Sequence, residues 1–265
     1  MKLHIRHETR YDFDAPVPFG LQQLRKTPKS FRNQTIESWS TEVIGGVKEL
    51  SFEDYHRNTV ELISFEANTH SISLISEGVV EVEDTHGVLG RHGGSTPLWL
   101  FNRSTPQTTP GKGVADVIGA LPEGEPLQQM HALSEKIRSR VTYEVGSSHP
   151  GWSAEEALSA GCGVCQDHAH IFITCARQIG LPARYVSGYL MMNETELQDA
   201  THAWAEVHLD GLGWVGFDVS NGISPDHRYV RVATGLDYAQ AAPVIGNRIG
   251  TAGEQLTVQL QVAQQ

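Results

Sequence analysis

The chain has 265 residues, a formal net charge of −11 and a hydrophobic fraction of 39%. Its length exceeds the usual size of a single hydrophobic core, so we expect two domains. The excess of acidic residues argues against nucleic acid or an anionic membrane surface as a partner, because both require a basic face.

The first hundred residues predict an all-β domain over 1–95. Segments with alternating or β-branched residues are separated there by Pro, Gly, Asn and Asp, which is typical of strands joined by turns. The predicted strands are 3–12, 36–44, 59–66 and 71–83. Residues 19–24 are compatible with a helical turn or a further strand. We therefore predict an N-terminal antiparallel β-sandwich.

A linker is predicted over 96–125, since the segments 90–97 and 105–113 are rich in residues that break helices and strands. Three apolar residues between the two segments, 99–101, are expected to dock the linker against a domain. A catalytic domain is then expected over 126–265.

Two helices are predicted at the start of that second domain. Pro126 begins the first, because apolar residues recur after it at helical spacing. The second is short, since residues 153–156 have the sequence of a capping box and Gly161 follows.

A third predicted helix carries a cysteine in its first turn. Glycines precede Cys165, and the sequence GLP at 180–182 ends the helix. Cys165 lies on the apolar face, so its thiol points into the fold, where the unpaired N–H groups and the helix dipole favour thiolate. Cysteines on apolar faces are often simply small buried residues, and Cys175, deeper in the helix, is interpreted in that way.

Two strands that follow this helix predict a hairpin. Residues 201–209 alternate polar or aromatic side chains with small apolar ones, and the next strand ends at Asp218. A two-residue loop would put Asp218 on the face opposite to His202. A five-residue loop, 209–213, would instead make His202 its diagonal neighbour on one face. We expect the odd-numbered loop, with Gly213 at positive φ.

Four motifs in this order resemble those of the bacterial transglutaminase-like proteins, a branch of the papain-like thiol enzymes. The motifs are GVCQDHA at 163–169, GLPAR at 180–184, HAWAEV at 202–207 and GWVGFD at 213–218. The segment 231–238 is similar to a further segment of the family, with Leu236 where arginine is usual. The resemblance implies an α+β domain with the cysteine helix packed against an antiparallel sheet, preceded by an N-terminal β domain.

The chemistry and the resemblance predict the same three catalytic residues. Cys165 would attack an amide carbonyl, His202 would hold the proton and return it to the leaving amine, and Asp218 would orient the imidazole. The product is a thioester, which passes its acyl group to water or to an amine. A peptide, a protein or a small amide is the expected substrate, and the reaction requires no metal and no cofactor.

Other residues are expected around this triad. The backbone N–H of Cys165 is predicted to belong to the oxyanion hole. The side-chain member is left open among Gln166, Tyr143 and Trp152. Gln166, Trp204 and Glu206 are predicted to contact substrate, although Glu206 is also compatible with a solvated strand residue.

Two other hypotheses about function are considered beside acyl transfer. Cys162, Cys165, His168 and His170 are zinc ligand types, and the two cysteines are also compatible with a redox pair. Against zinc, all four crowd into one helix start, and the two histidines point to different sides of a helix. The second alternative is a catalytically inactive binding module of the same fold.

The expected compartment is the cytoplasm. Three cysteines, an odd number, fit a reducing compartment better than a disulfide framework. No apolar run of a signal peptide follows the first charged residues, and none approaches the roughly 20 residues of a membrane helix. No pattern in the sequence indicates an oligomeric state.

Overall fold

The computed structural model describes residues 1–193 and 195–265, which form sixteen strands and five α-helices. The strands are β1 (Lys2–Val17), β2 (Phe19–Leu24), β3 (Gln34–Ile44), β4 (Gly46–Glu53), β5 (Thr59–Phe65), β6 (Thr69–Val82), β7 (Val88–Gly90), β8 (Thr142–Tyr143), β9 (Cys162–Gly163), β10 (Ala183–Leu190), β11 (Leu197–Gln198), β12 (His202–Leu209), β13 (Gly213–Phe217), β14 (Tyr229–Gly235), β15 (Val244–Ile249) and β16 (Glu254–Gln264). The helices are α1 (Lys112–Ile118), α2 (Pro126–Arg140), α3 (Ala154–Ala160), α4 (Cys165–Gln178) and α5 (Tyr238–Ala241).

The N-terminal half is the predicted β-sandwich. One sheet has the strand order β11-β16-β1-β6-β3 and the other has the order β15-β2-β5-β4. Their facing side chains form an apolar core that includes Phe13, Leu24, Ile63, Phe65 and Leu74. Residues 19–24, for which the sequence left two possibilities, form strand β2, and β4 is a strand that was not predicted.

The structure differs from the predicted division of the chain in strand pairing and in the linker. β15 and β16 pair with β2 and β1, so the end of the chain, predicted to be catalytic, completes the sandwich. β7 pairs with β13 at the edge of the other sheet. The predicted linker 96–125 contains α1 and two short 3₁₀ turns, Leu98–Asn102 and Pro106–Thr108. These pairings join segments far apart in sequence, which local patterns do not specify.

The second half consists of helices packed on an antiparallel sheet with the strand order β14-β10-β12-β13-β7. Helix α4 packs on β10 and β12 and shares with them a buried core that includes Phe172, Tyr185, Ala205 and Val207. α2 begins at Pro126 and α3 carries the predicted capping box of Ser153 and Glu156, so both helix predictions are confirmed. No helix among the described residues is long and apolar enough to cross a bilayer.

Side chains of the sandwich cover the free edge of β14. Gln34 donates to the carbonyl of Arg231 at 2.8 Å and accepts from its N–H at 2.8 Å. Asn58 makes the same pair of bonds with Thr234, at 2.8 and 2.9 Å. Each amide therefore takes the place of a neighbouring strand, so the edge is satisfied and the two halves are held in register.

Candidate active site

The start of α4 is fixed by a buried aspartate. The Asp167 carboxylate accepts a hydrogen bond from the backbone N–H of Val164 at 2.8 Å and another from the Ser148 hydroxyl at 2.6 Å. A Cβ at Gly163 would lie 2.8 Å from Asp167 Cβ, so only glycine allows this close approach. The helix consequently begins at Cys165, whose thiol occupies the first turn as predicted.

The hairpin has the predicted parity. Leu209 pairs with Gly213 and Ala205 pairs with Phe217, which continues to Trp204 opposite Asp218. Gly213 has φ of 78°, which confirms the expectation for the odd-numbered loop. Asp218 and the strand residue His202 therefore lie on one face.

His202 and Asp218 are joined by a short hydrogen bond. His202 Nε2 lies 2.6 Å from Asp218 Oδ2, so Nδ1 is the ring nitrogen not used by Asp218, and Cys165 lines the same cleft as His202. Burial opposes a charge on the ring, but the hydrogen bond to Asp218 and the nearness of Cys165 and Asp218, with their negative charges, raise the pKa of His202 to about 10. The imidazole is 13% exposed and stacks beside Trp204, so its orientation is restricted.

Asp218 is surrounded by hydrogen-bond donors and has no exposed surface. Besides His202, it accepts from the Tyr229 hydroxyl at 2.7 Å and from Nδ2 and N of Asn221 at 2.7 and 3.2 Å. Burial would raise the pKa of Asp218, but the donors hold it below its usual value. Asn221 and Tyr229 are functional residues that were not predicted from the sequence. Asn221 could have been found from its position three residues after Asp218, whereas Tyr229 comes from the next strand.

A cleft of about 520 Å³ opens onto Cys165 and His202. Its walls are mainly apolar or aromatic and include Tyr143, Val145, Tyr185, Leu190, Met192, Leu197 and Tyr238. Asp199 is the charged lining residue besides His202 among the described residues. A cleft of this size and character suits an extended peptide or a small apolar amide.

Two family models match the chain. The bacterial transglutaminase-like N-terminal region matches residues 3–81, and the transglutaminase-like superfamily matches residues 116–219. Together these segments make up more than half of the chain, and the second contains Cys165, His202 and Asp218. The chain belongs to the bacterial transglutaminase-like proteins.

The chain is also similar to individual proteins. An uncharacterized protein of Mycobacterium leprae is 27% identical over 281 residues, which cover 98% of each chain. An uncharacterized protein of Mycobacterium tuberculosis is 38% identical over 136 residues, or 48% of this chain and 43% of that one. A crystal structure from Cytophaga hutchinsonii, described as a candidate cysteine protease, is 21% identical with a TM-score of 0.79 and covers 99% of this chain and 90% of its own. This last likeness shows that the whole fold is shared.

Of the three residues predicted to contact substrate, only one lines the cleft. Gln166 lines the cleft, and its Nε2 donates to the carbonyl of Pro150 at 3.1 Å. Trp204 is 3% exposed and packs with Tyr229, and Glu206 is 1% exposed, so neither lines the cleft. The predicted substrate contacts of Trp204 and Glu206 are therefore wrong, as is a solvated Glu206, because this stretch of β12 is covered by protein on both faces.

The three residues considered for the side-chain member of the oxyanion hole differ in whether they line the cleft. Tyr143 and Gln166 line the cleft, whereas Trp152 packs beside His149 and does not line it. Tyr185, which is not among the three predicted residues, lies in the wall of the cleft near Cys165.

The residues proposed as zinc ligands do not converge. His168 bonds the carbonyl of Val141 at 3.0 Å and the hydroxyl of Ser220 at 2.8 Å. His170 accepts from the backbone N–H of Tyr238 at 3.0 Å. Within residues 1–193 and 195–265, no three side chains of His, Cys, Asp or Glu are grouped to hold a metal ion.

Proposed function

We propose that this protein is a thiol enzyme that attacks an amide carbonyl through Cys165 and passes the acyl group to water or an amine. The main support is the 2.6 Å hydrogen bond from His202 to Asp218, with Cys165 beside the same imidazole at the first turn of α4. The structural neighbour described as a candidate cysteine protease supports including peptide bonds among the amides.

Acylation starts with His202 as the imidazolium, because its pKa lies above neutral pH, and with Cys165 beside it as the thiolate. The thiolate then attacks the amide carbon, and a C–S bond forms as the carbonyl becomes an oxyanion. The backbone N–H of Cys165 points from the start of α4 and would donate to that oxygen. The tetrahedral intermediate collapses when His202 gives its proton to the leaving nitrogen and the C–N bond breaks.

Deacylation repeats these steps in reverse with a new acceptor. His202 takes a proton from water or from an amine, which attacks the thioester carbon. The C–S bond breaks and the thiolate is restored. Asp218 stays ionised throughout, because its four hydrogen bonds are all of the kind that a carboxylate accepts.

The cleft favours an apolar acyl group. Its walls are formed by side chains such as Leu190, Met192 and Leu197, and Asp199 stands at the exposed rim. Glutamine peptides with flanking apolar residues are therefore the substrates of choice for a first assay. An acidic peptide would meet the like charge of Asp199.

The decisive assay follows ammonia release, peptide cleavage and amine incorporation on a glutamine peptide, with and without a primary amine. We expect the wild type to give at least one of the three products and Cys165→Ala to give none. Cys162→Ala is the matched control, because it removes the neighbouring thiol and leaves the proposed nucleophile. Equal loss of activity in Cys162→Ala would favour a dithiol site instead.

Alkylation separates an enzyme from an inactive module of the same fold. Iodoacetamide should modify Cys165 much faster than Cys175, because burial raises the pKa of the Cys175 thiol to about 12. The modified residues can be identified by mass spectrometry of peptides. No product in the assay, together with slow alkylation of Cys165, would reject the enzyme.

A further inference from the structure

A second cavity, of about 360 Å³, lies between the sandwich and the sheet of the catalytic half. Its lining includes Lys29, Arg57, Arg184 and Arg231, and it shares no lining residue with the cleft at Cys165. The chain as a whole carries 20 Lys and Arg against 31 Asp and Glu. This cavity therefore gathers four basic side chains in a protein whose net charge is negative.

The two deeper arginines are held in place by aromatic rings and one carboxylate. The guanidinium of Arg184 lies 3.8 Å from the ring centre of Trp214, and that of Arg231 lies 4.6 Å from the ring centre of Phe31. Both bond to Glu206, Arg184 through Nε at 2.7 Å and Arg231 through Nη2. Nη2 of Arg184 is buried and has no hydrogen-bond partner among the described residues. One carboxylate thus serves two guanidinium groups and leaves donors unused.

Lys29 adds a third cation that has only neutral partners. Its Nζ donates to the carbonyl of His56 at 2.8 Å and to the hydroxyl of Thr234 at 3.0 Å. Burial, with Arg231 and Arg184 nearby, pushes the pKa of Lys29 well below its ordinary value. The amine consequently lies where its charged form is destabilised unless a negative group comes close.

The charges around the cavity do not cancel. Arg57 at the mouth is 63% exposed and is offset by Glu53, at 3.6 Å between Nε and Oε1. Deeper in, Arg184 and Arg231 face the single charge of Glu206, since the nearby Asp54 pairs with Arg25 at 3.6 Å between Oδ2 and Nε. A dianion next to Lys29 would favour the protonated amine and would then meet two positive charges in excess of that of Glu206.

We propose that this cavity binds a small dianionic oxyanion, carried by a phosphate group or by a dicarboxylate. Guanidinium groups with one face on an aromatic ring and free N–H edges recognise such oxygens by paired hydrogen bonds. The volume accommodates a compact molecule and excludes a folded macromolecule. Because Lys29 belongs to the sandwich and both arginines to the catalytic sheet, the ligand contacts both halves.

Calorimetric titration of the full chain tests the site with inorganic phosphate, phenyl phosphate and succinate, each against sodium chloride at equal ionic strength. We expect saturable binding of at least one dianion and a rise in Tm of about 3 °C at saturation. Binding of both phosphates alone assigns a phosphate group, and binding of succinate alone assigns a dicarboxylate. Absence of saturable binding for all three would overturn the proposal.

Substitutions of Lys29 test whether the anion binds in this cavity. Lys29→Met should weaken binding about tenfold or more, whereas Lys29→Arg should retain it. Lys112→Met, on the exposed part of α1, is the matched control and should bind as the wild type does. Should Lys29→Met fail to fold, Arg57→Met at the mouth should weaken binding about threefold. Unchanged affinity in a folded Lys29→Met protein would show that the anion binds elsewhere.

Discussion

Asp218 and Glu206 are two buried carboxylates on the same sheet whose partners differ in kind. Asp218 accepts from one imidazole, one hydroxyl and one side-chain amide. Glu206 bonds two guanidinium groups, those of Arg184 and Arg231. The partners of Asp218 include an imidazole, which can gain and lose a proton, whereas those of Glu206 are permanently charged.

The surroundings of Asp218 therefore suit proton transfer, whereas those of Glu206 suit a permanent ion pair. Asp218 can hold His202 while the imidazole gains and loses a proton, because its other donors keep it ionised in both states. For Glu206, burial alone would raise the pKa, but Arg231 and Arg184 lower it to about 2. Substitutions at the two positions should therefore affect different properties.

Asp218→Asn tests the proposed catalytic role and should have the largest effect. We expect kcat/KM to fall about 10³–10⁴-fold, because an amide can no longer fix the imidazole or stabilise its charged form. The measurement is steady-state turnover of the best glutamine peptide. Asp226→Asn, which removes the carboxylate that binds the side chain of Arg228, is a matched control and should leave kcat/KM within threefold. A similar loss in both variants would refute a specific role for Asp218.

Glu206→Gln tests the structural side of the comparison. We expect the free energy of unfolding to fall by about 3–5 kcal/mol, because two buried guanidinium groups lose their counter-charge. Urea unfolding gives this value, and turnover per folded molecule should stay within threefold. The prediction fails if stability is unchanged and turnover falls as it does in Asp218→Asn.

Acid should reveal the same interaction in the wild type. The pKa of Glu206 is about 2 in the folded protein against an ordinary 4.5, so its contribution to stability is present above pH 4.5. That contribution is lost as the pH falls toward 2. Between pH 2 and pH 4.5, the free energy of unfolding should therefore change more with pH in the wild type than in Glu206→Gln, as measured by urea unfolding at each pH.

The titration of His202 at high pH tests whether Asp218 sets the charge of the imidazole. Its pKa of about 10 lies above the ordinary 6.5, so the stability that the imidazolium brings is complete below pH 6.5 and is lost as the pH rises through about 10. Asp218→Asn should lower the midpoint by about 1–3 pH units, since it removes the neighbouring negative charge. NMR of the imidazole signals, with His202→Gln to assign the peak, measures the shift. An unchanged midpoint would mean that Asp218 does not set the charge of the ring.

The parts of the site that were predicted depend on short-range patterns. Cys165 lies at a helix start marked by Gly163, and the faces of His202 and Asp218 follow from strand alternation and a turn glycine. These features involve residues close in sequence, where backbone preferences decide the structure.

The parts that were missed depend on which elements become neighbours. The placement of Tyr229 next to Asp218 requires β14 to lie beside β10, and the burial of Glu206 requires the sandwich to cover the sheet. Alternation in β12 indicates two faces but not which one another domain will cover. For the same reason the return of β16 to the N-terminal sheet, at 254–264, could not be read from its sequence.

Tyr229→Phe should have the smallest effect, because it removes one neutral donor from Asp218 and leaves the other bonds in place. We expect kcat/KM to fall about 3–10-fold, the usual value of one hydrogen bond. The hydroxyl acts through Asp218, so the same substitution made in Asp218→Asn should cost much less than it does in the wild type. Additive losses would mean that Tyr229 contributes independently of Asp218. The pH profile distinguishes positioning from packing, because only loss of a donor to Asp218 should also raise the titration midpoint of His202, as the carboxylate keeps more of its negative charge for the imidazolium.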